Sequence, residues 1–115
     1  MKKVGITQRV ILNKNNSRID SLEQDYIKYY SSFDINLIPI PNTIVDLPVY
    51  LKDTGIEMII LSGGGDIGPR FSKNTSKIEI FDQIERDNIE AELLKYAIKN
   101  KIPVLGECRG CEFIN

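Results

Sequence analysis

Four short, largely apolar runs recur along the chain, at residues 4–7, 35–40, 58–61 and 102–105. They lack a regularly alternating polar side, which is typical of strands covered on both faces in a parallel sheet. The segments between the runs have helical character, so the pattern predicts the order β-α-β-α-β-α-β. That order favours an open, mainly parallel α/β sheet with flanking helices and right-handed crossovers.

The clearest predicted helix spans about residues 82–100, and its apolar stripe consists of Ile89, Leu93, Leu94, Ala97 and Ile98. A second helix is predicted to open at Ser21, which forms a capping-box pattern with Gln24, and to run to about residue 30. A shorter helical segment, 42–52, is interrupted by Pro48. The long irregular connection 63–81 has the length of loops that usually carry function.

Composition narrows the class of protein. The chain has 115 residues, 42% of them hydrophobic, which suits at most one domain with its own core. A net charge of -1 does not favour nucleic acid or an anionic membrane as a partner. No apolar run has the length of a signal-peptide core or a membrane span, so we expect a cytoplasmic protein. Its two cysteines provide no disulfide framework of the secreted kind.

Two glycine-rich turns, LSGGGDIGP and LGECRGC, follow the third and fourth runs. Ligand sites in open parallel sheets form beyond the carboxyl ends of the strands, so the turns would face one crevice if their strands are neighbours. Gly63, Gly65 and Gly68 have the spacing of a dinucleotide fingerprint, but the polar run RFSKNTSK follows where a helix should open. The other interpretations of the first turn are an ordinary flexible loop and a set of backbone donors for an oxyanion.

The second turn has the form of a nucleophile elbow, with Cys108 between Gly106 and Gly110. The glycines permit the strained strand-to-helix turn, and the helix N-terminus together with Arg109 would favour the thiolate. Two alternatives stay open: a buried structural cysteine, and a dithiol redox site formed by Cys108 and Cys111. The pair supplies only half of the ligands of a structural zinc site, and the sequence contains no histidine.

In this order and at these distances, the motifs resemble the class I glutamine amidotransferase-like superfamily, specifically its γ-glutamyl hydrolase branch. The matching segments are VGIT, IILSGGGDIGP, RDNIEAELLKYAIKNKIPVLGECRG and FIN. The resemblance implies a flavodoxin-like fold and a Cys-His-Glu triad that acts on the γ-amide of a glutamyl compound. The segment GITQR and the loop lengths also resemble γ-glutamyl-CDP-amidate hydrolases.

The resemblance also implies roles for individual residues. Cys108 would be the nucleophile, the amides of Gly64 or Gly65 and of Arg109 would form the oxyanion hole, and Glu112 would replace a glutamine that helps to hold the substrate. It implies neither a cofactor nor a metal. The histidine and glutamate of the family lie later in the domain, so we expect residues 1–115 to be the N-terminal part of a single domain and inactive alone. The expected partners are a small γ-glutamyl substrate and either the missing C-terminal half or a second copy.

Other polar residues fall near the predicted crevice. Arg86 and Glu90 are spaced i, i+4. They could line the site mouth or orient a substrate carboxylate, which would make Arg86 a substrate-binding residue, or they could form an ordinary surface pair. Gln8 and Arg9 follow the first strand. They could bind the substrate, or they could belong to a solvated loop. By the same resemblance, Glu107 stands where the family usually has an aliphatic residue, and its negative charge opposes thiolate formation at Cys108. Besides γ-glutamyl hydrolysis and dithiol redox chemistry, an ammonia-donating glutaminase domain and a non-catalytic partner domain remain as functional hypotheses.

Overall fold

A computed structural model describes residues 1–62 and 83–107 of the chain. In chain order the elements are β1 (Lys2–Thr7), β2 (Arg9–Leu12), β3 (Arg18–Ser21), α1 (Gln24–Ser31), β4 (Ile35–Ile40), α2 (Leu47–Thr54), β5 (Met58–Leu61), α3 (Ile84–Asn100) and β6 (Val104–Gly106). The four predicted strands correspond to β1, β4, β5 and β6. The predicted helices correspond to α1, α2 and α3, with shifted ends.

The four strands form one parallel sheet in the order β4-β1-β5-β6. In the numbering of the main strands alone this is the order 2-1-3-4 of flavodoxin-like folds, so the predicted α/β class is confirmed. The strands β5 and β6 are neighbours, with Ile59 opposite Val104 and Leu61 opposite Gly106. The condition under which the two glycine-rich turns would share one crevice is therefore met by the strands that precede them.

Apolar side chains cover both faces of this sheet. On one face, Ile59 and Leu61 of β5 pack with buried residues of α2 and α3, among them Leu51 and Leu93. On the other face, Val4, Ile6 and Ile60 pack with Tyr30 of α1. Successive strand residues point to opposite faces, so a run that is apolar throughout supplies both cores. This accounts for the absence of a regularly alternating polar side.

The apolar stripe predicted for α3 is correct except at its end. Ile89, Leu93 and Ala97, each four residues apart, are buried against the sheet, and Leu94 packs against their edge. Ile98 is 79% exposed, so its assignment to the core was wrong. Ala97 in the same turn of the helix is buried, so Ile98 is exposed because it lies about 100° further round the helix, away from the sheet.

The segment after β1 differs from the prediction. The strands β2 and β3 form an antiparallel hairpin, and Ser21 is the last residue of β3 rather than a helix N-cap. The helix α1 begins three residues later, with Glu23 in the N-cap position and no side-chain cap hydrogen bond. The hairpin loop is closed locally, because the Asn13 side chain accepts the backbone N–H groups of Asn15 and Ser17 at 2.9 Å each.

The helix α2 begins later than the sequence predicted. Asp46 occupies its N-cap and accepts the backbone N–H of Val49 at 3.2 Å. Pro48 lies in the first turn, where its missing N–H would have no intrahelical acceptor, so it starts the helix rather than interrupting it. Gly55, at φ 73°, ends the helix in the left-handed conformation that glycine adopts without strain.

Candidate active site at the carboxyl edge of the sheet

The carboxyl ends of β1, β4, β5 and β6 lie at one edge of the sheet, here called the carboxyl edge. One further ladder hydrogen bond, from the Glu107 N–H to the Leu61 carbonyl at 2.9 Å, extends the pairing of β5 and β6 beyond the strands. The backbone at Ser62 therefore lies beside the backbone at Glu107, the last described residue before Cys108.

Four buried polar residues meet at this edge: Thr7 after the apolar part of β1, Ser62 directly after β5, and Arg86 and Glu90 on α3. We call them the carboxyl-edge network. The Thr7 hydroxyl lies 2.6 Å from Glu90 Oε2, and the Ser62 N–H donates to Thr7 Oγ1 at 2.9 Å. An Arg86 Nη donates to the Ser62 carbonyl at 2.5 Å and lies 2.9 Å from Ser62 Oγ.

The donors and acceptors of this network are mutually consistent. Thr7 donates its only hydroxyl proton to the Glu90 carboxylate and accepts the Ser62 N–H with a lone pair. The N–H, the carbonyl and the hydroxyl of Ser62 are each engaged by a neighbour. The network thus connects two sheet strands to α3 at the position where the chain leaves β5.

Arg86 and Glu90 form an ion pair with 3.4 Å between Nε and Oε2, and both side chains are 0% exposed. The interpretation as an ordinary surface pair was therefore wrong. Burial raises the pKa of Glu90 above its ordinary value, and the positive charge of Arg86 and the Thr7 hydrogen bond act in the opposite direction. Burial lowers the pKa of Arg86, which Glu90 partly offsets, but a guanidinium remains protonated in proteins.

Gln8 and Arg9 lie at the same edge but outside the network. Gln8 donates from Nε2 to the carbonyl of Ile40, the last residue of β4, at 3.1 Å. Arg9 begins β2, and its guanidinium lies 3.7 Å from the Glu23 carboxylate, with both side chains partly exposed. Arg9 is therefore in a strand rather than a loop, whereas Gln8 is the half-buried residue that connects β1 to β2. A role of either residue in substrate binding stays a prediction.

Glu107 directs its carboxylate toward α1, where it accepts a hydrogen bond from the Tyr30 hydroxyl. Burial, followed by this carboxylate, raises the pKa of Tyr30 above its ordinary value, so the phenol is a proton donor at neutral pH. Tyr30 and Glu107 both line each of two cavities, of about 330 and 340 Å³. The second cavity is mainly apolar, with Val4, Met58 and Leu105 in its wall.

The remaining predicted site residues, Gly64, Gly65, Cys108, Arg109 and Glu112, lie outside the described residues. The same holds for the proposed partner in a dithiol site, Cys111, and for the dinucleotide-like glycine spacing. Their roles therefore stay predictions. Within residues 1–62 and 83–107, no three His, Cys, Asp or Glu side chains are grouped to hold a metal ion. No helix in that part of the chain is long and apolar enough to cross a membrane.

Sequence reasoning missed Thr7, Ser62 and Gln83. Gln83 pairs with the backbone of Val10 through both side-chain atoms, at 2.9 Å and 2.7 Å, and so attaches the hairpin to the start of α3. A signal existed for the first two, because each is a hydroxyl residue at the end of an apolar run that leads to the carboxyl edge. No comparable signal existed for Gln83, because its partner is the backbone of Val10 in a hairpin that the sequence did not predict.

A flavodoxin-like α/β sheet with a buried polar network at its carboxyl edge defines a class of domain that forms its site at the strand ends. The family profile described as Peptidase C26 matches residues 4–115, and the chain belongs to that family. The names of this family and of its relatives point to a hydrolase or amidotransferase-like enzyme.

Three similar proteins illustrate the range of the family. A γ-glutamyl-CDP-amidate hydrolase of Campylobacter jejuni is 32% identical over 96% of this chain and 52% of its own length. A putative glutamine amidotransferase-like protein of Lactococcus lactis is 28% identical over 86% of the chain and 42% of its own length. A putative glutamine amidotransferase of Schizosaccharomyces pombe is 38% identical over 52% of the chain and 24% of its own length. The chain thus spans about half the length, or less, of these relatives.

Proposed function

We propose that the chain is the N-terminal part of an enzyme that hydrolyses a γ-glutamyl amide with Cys108 as nucleophile. The observation that carries the proposal is the pairing of β5 with β6 up to the bond between Glu107 and Leu61. Because of this pairing, Ser62, which precedes the glycine-rich turn in the chain, lies beside Glu107, which precedes Cys108. Membership of the Peptidase C26 family and the similarity to a γ-glutamyl-CDP-amidate hydrolase support the same chemistry.

The reaction follows from these roles. The Cys108 thiolate attacks the γ-carbonyl carbon, and the oxyanion that forms is stabilised by the amides of Gly64 or Gly65 and of Arg109. The C–N bond then breaks, and the amine leaves with a proton from a histidine of the complete protein. The same histidine takes a proton from water as that water adds to the glutamyl thioester, the C–S bond breaks, and glutamate leaves with the thiolate restored. Because residues 1–115 contain no histidine, the complete protein must supply the base.

The test uses the complete protein and a chromogenic γ-glutamyl anilide. We expect Cys108→Ala to lower kcat by at least about 10³-fold, because no other side chain replaces the nucleophile. Cys111→Ser should retain kcat within about threefold, and mass spectrometry of rapidly quenched wild-type enzyme should detect a glutamyl adduct on Cys108.

The matched cysteine variants separate the hypotheses. Full activity of Cys108→Ala, or no hydrolysis by the wild-type protein, would contradict the proposal. A dithiol redox protein would lose its function in Cys111→Ser as well as in Cys108→Ala.

A glutaminase that delivers ammonia to an acceptor is the second candidate, favoured by the names of the relatives from Lactococcus lactis and Schizosaccharomyces pombe. It uses the same thioester chemistry but takes free glutamine as its substrate. A kcat/KM for glutamine that exceeds that for N-substituted γ-glutamyl amides would favour this candidate over the proposed hydrolase.

A further inference from the structure

We propose that Thr7, Arg86 and Glu90 are positioning residues that fix Ser62 and, through it, the starting geometry of the glycine-rich turn. The inference rests on the proposed function, in which that turn provides an oxyanion donor. It assigns Arg86 a role beneath the site, in place of the direct contact with substrate that the sequence suggested.

Ser62 is held from two sides. On the β1 side, the Thr7 hydroxyl accepts the Ser62 N–H at 2.9 Å. On the α3 side, Arg86 donates to the Ser62 carbonyl at 2.5 Å and approaches its hydroxyl at 2.9 Å. With its N–H and its carbonyl both engaged, Ser62 cannot rotate either of its peptide groups without breaking a hydrogen bond.

The orientation of Ser62 constrains the residues that come next in the chain. A peptide group is planar, so a fixed carbonyl fixes the plane of the whole group that leads to the next residue. Three glycines come next. Glycine has no side chain that could anchor the backbone, and it can adopt the widest range of backbone angles. The restraint on the start of the turn must therefore come from its neighbours, and Ser62 is the last described residue before it.

Glu90 acts through the other two residues. Its Oε2 accepts the Thr7 hydroxyl proton at 2.6 Å, which turns a lone pair of Thr7 toward the Ser62 N–H. The same oxygen lies 3.4 Å from Arg86 Nε. The Glu90 carboxylate therefore balances the positive charge of the guanidinium that donates to the Ser62 carbonyl. A buried ion pair is weak evidence for stability alone, since an apolar pair of similar volume is often as stable. The orientation of Ser62 is a function that an apolar pair would not perform.

The test compares Thr7→Val, which keeps the shape but loses the hydroxyl, with Thr7→Ser, which keeps the hydroxyl. In the complete enzyme we expect Thr7→Val to lower kcat for a γ-glutamyl anilide by about 10- to 100-fold, because a misplaced oxyanion donor weakens transition-state binding. KM should change by less than about threefold, and Thr7→Ser should restore kcat. Thr54→Val is the matched control, because the Thr54 hydroxyl bonds within α2, to the carbonyls of Tyr50 and Leu51.

A second readout separates positioning from general loss of structure. Alkylation of Cys108 by iodoacetamide, followed by mass spectrometry across pH, depends on the thiolate and forms no oxyanion. We expect its rate and pH profile to be unchanged in Thr7→Val. Wild-type kcat in Thr7→Val, or a loss of kcat matched by an equal loss of alkylation, would overturn the inference.

Arg86→Lys provides an independent variant if Thr7→Val does not fold. It keeps the positive charge but loses the fork of guanidinium donors that reaches Ser62, so the same loss of kcat with unchanged alkylation is expected. An inactive wild-type enzyme would overturn the proposed function and this inference with it. An active wild type with equally active Thr7→Val and Arg86→Lys would overturn the inference alone.

Discussion

At the scale of single residues, the most consequential feature is a fully buried arginine whose charge is balanced by one carboxylate. Arg86 would be costly to bury without Glu90, and Glu90 without Arg86, because each charge has left water. The Thr7 hydroxyl donates a hydrogen bond to Glu90, and the Ser62 carbonyl accepts one from Arg86. The pair is therefore sensitive to the loss of one partner and much less sensitive to the loss of both.

We predict that Arg86→Met lowers the free energy of unfolding by about 3–5 kcal/mol at pH 7, because it leaves Glu90 buried without its counter-charge. The double variant Arg86→Met/Glu90→Leu should recover most of this loss. Urea denaturation measures the unfolding free energy of both variants. Lys95→Met, at an exposed position on the same helix, is the control and should stay within about 0.5 kcal/mol of wild type. A double variant no more stable than Arg86→Met would contradict this account.

The loss should also depend on pH. Burial raises the pKa of Glu90, and removal of Arg86 takes away the main influence that lowers it. The native state of Arg86→Met then binds the Glu90 proton more tightly than the unfolded state does. The contribution of Glu90 to the stability of Arg86→Met is therefore fully present below the ordinary glutamate pKa and is lost as pH rises through the raised native pKa. We expect Arg86→Met to be closer to wild type at pH 5 than at pH 7.

At the scale of elements, α3 shows how contact with the sheet divides an apolar stripe. Leu93 is 0% exposed and belongs to the core between α2, α3 and the sheet, whereas Ile98 lies on the same helix and faces solvent. The two residues have nearly the same hydrophobicity, so residue type alone does not distinguish them. Their difference comes from their positions around the helix, because five residues at 3.6 per turn place Ile98 about 140° from Leu93, outside the buried face.

The matched pair Leu93→Ala and Ile98→Ala tests this difference. We expect Leu93→Ala to cost about 2–5 kcal/mol of unfolding free energy, through lost burial and the cavity that it leaves. Ile98→Ala should change stability by less than about 0.5 kcal/mol, because its side chain is already in water. Equal losses in chemical denaturation would show that the end of α3 packs against something in solution.

At the scale of the whole molecule, side chains distant in sequence attach the β2–β3 hairpin to the sheet domain. Gln83 bonds the backbone of Val10, and Asp20 accepts both the backbone and the side-chain N–H of Asn42 at 3.0 and 2.8 Å. At the hairpin's second strand, Arg18 contacts Glu85 of α3 with two hydrogen bonds of 2.5 and 2.6 Å. These contacts hold the hairpin beside the carboxyl edge.

The Arg18–Glu85 contact predicts a pH-dependent coupling. The Arg18 hydrogen bond lowers the pKa of Glu85, so the unfolded state binds this proton more readily than the native state. The stabilisation is present above the ordinary glutamate pKa and is lost as pH falls through the lowered native value. Because both side chains are partly exposed, we expect a coupling of only about 0.5–1 kcal/mol at pH 7.

A double-mutant cycle of Arg18→Gln and Glu85→Gln, measured at pH 7 and again near pH 3, tests this coupling. The Arg9–Glu23 pair, at 3.7 Å, is the comparison and should give a smaller coupling at pH 7. A coupling of Arg18 with Glu85 that is unchanged in acid, or absent at both pH values, would contradict the assignment.

Local sequence failed where two patterns competed. The capping-box spacing of Ser21 and Gln24 is a genuine local signal, yet Ser21 pairs with Arg9 in the hairpin. A helix cap of this type contributes about 1 kcal/mol, which the combined strand pairing and tertiary contacts of the hairpin exceed. The part of Thr7 and Ser62 in the carboxyl-edge network was missed for a related reason, because its hydrogen bonds join residues separated by 55 and 83 positions.

The amino-acid sequence was enough to establish the parallel α/β sheet, its four strands, the principal helix and the family. Burial on both faces of a strand requires an apolar run, and the glycine and cysteine motifs are contiguous in the chain. The folded structure was needed to show that Arg86 and Glu90 are buried, that Thr7 and Ser62 join them, and that β2 and β3 form a hairpin. These features escape local patterns because the burial of a charge or the pairing of a short strand depends on which distant segments displace water from it.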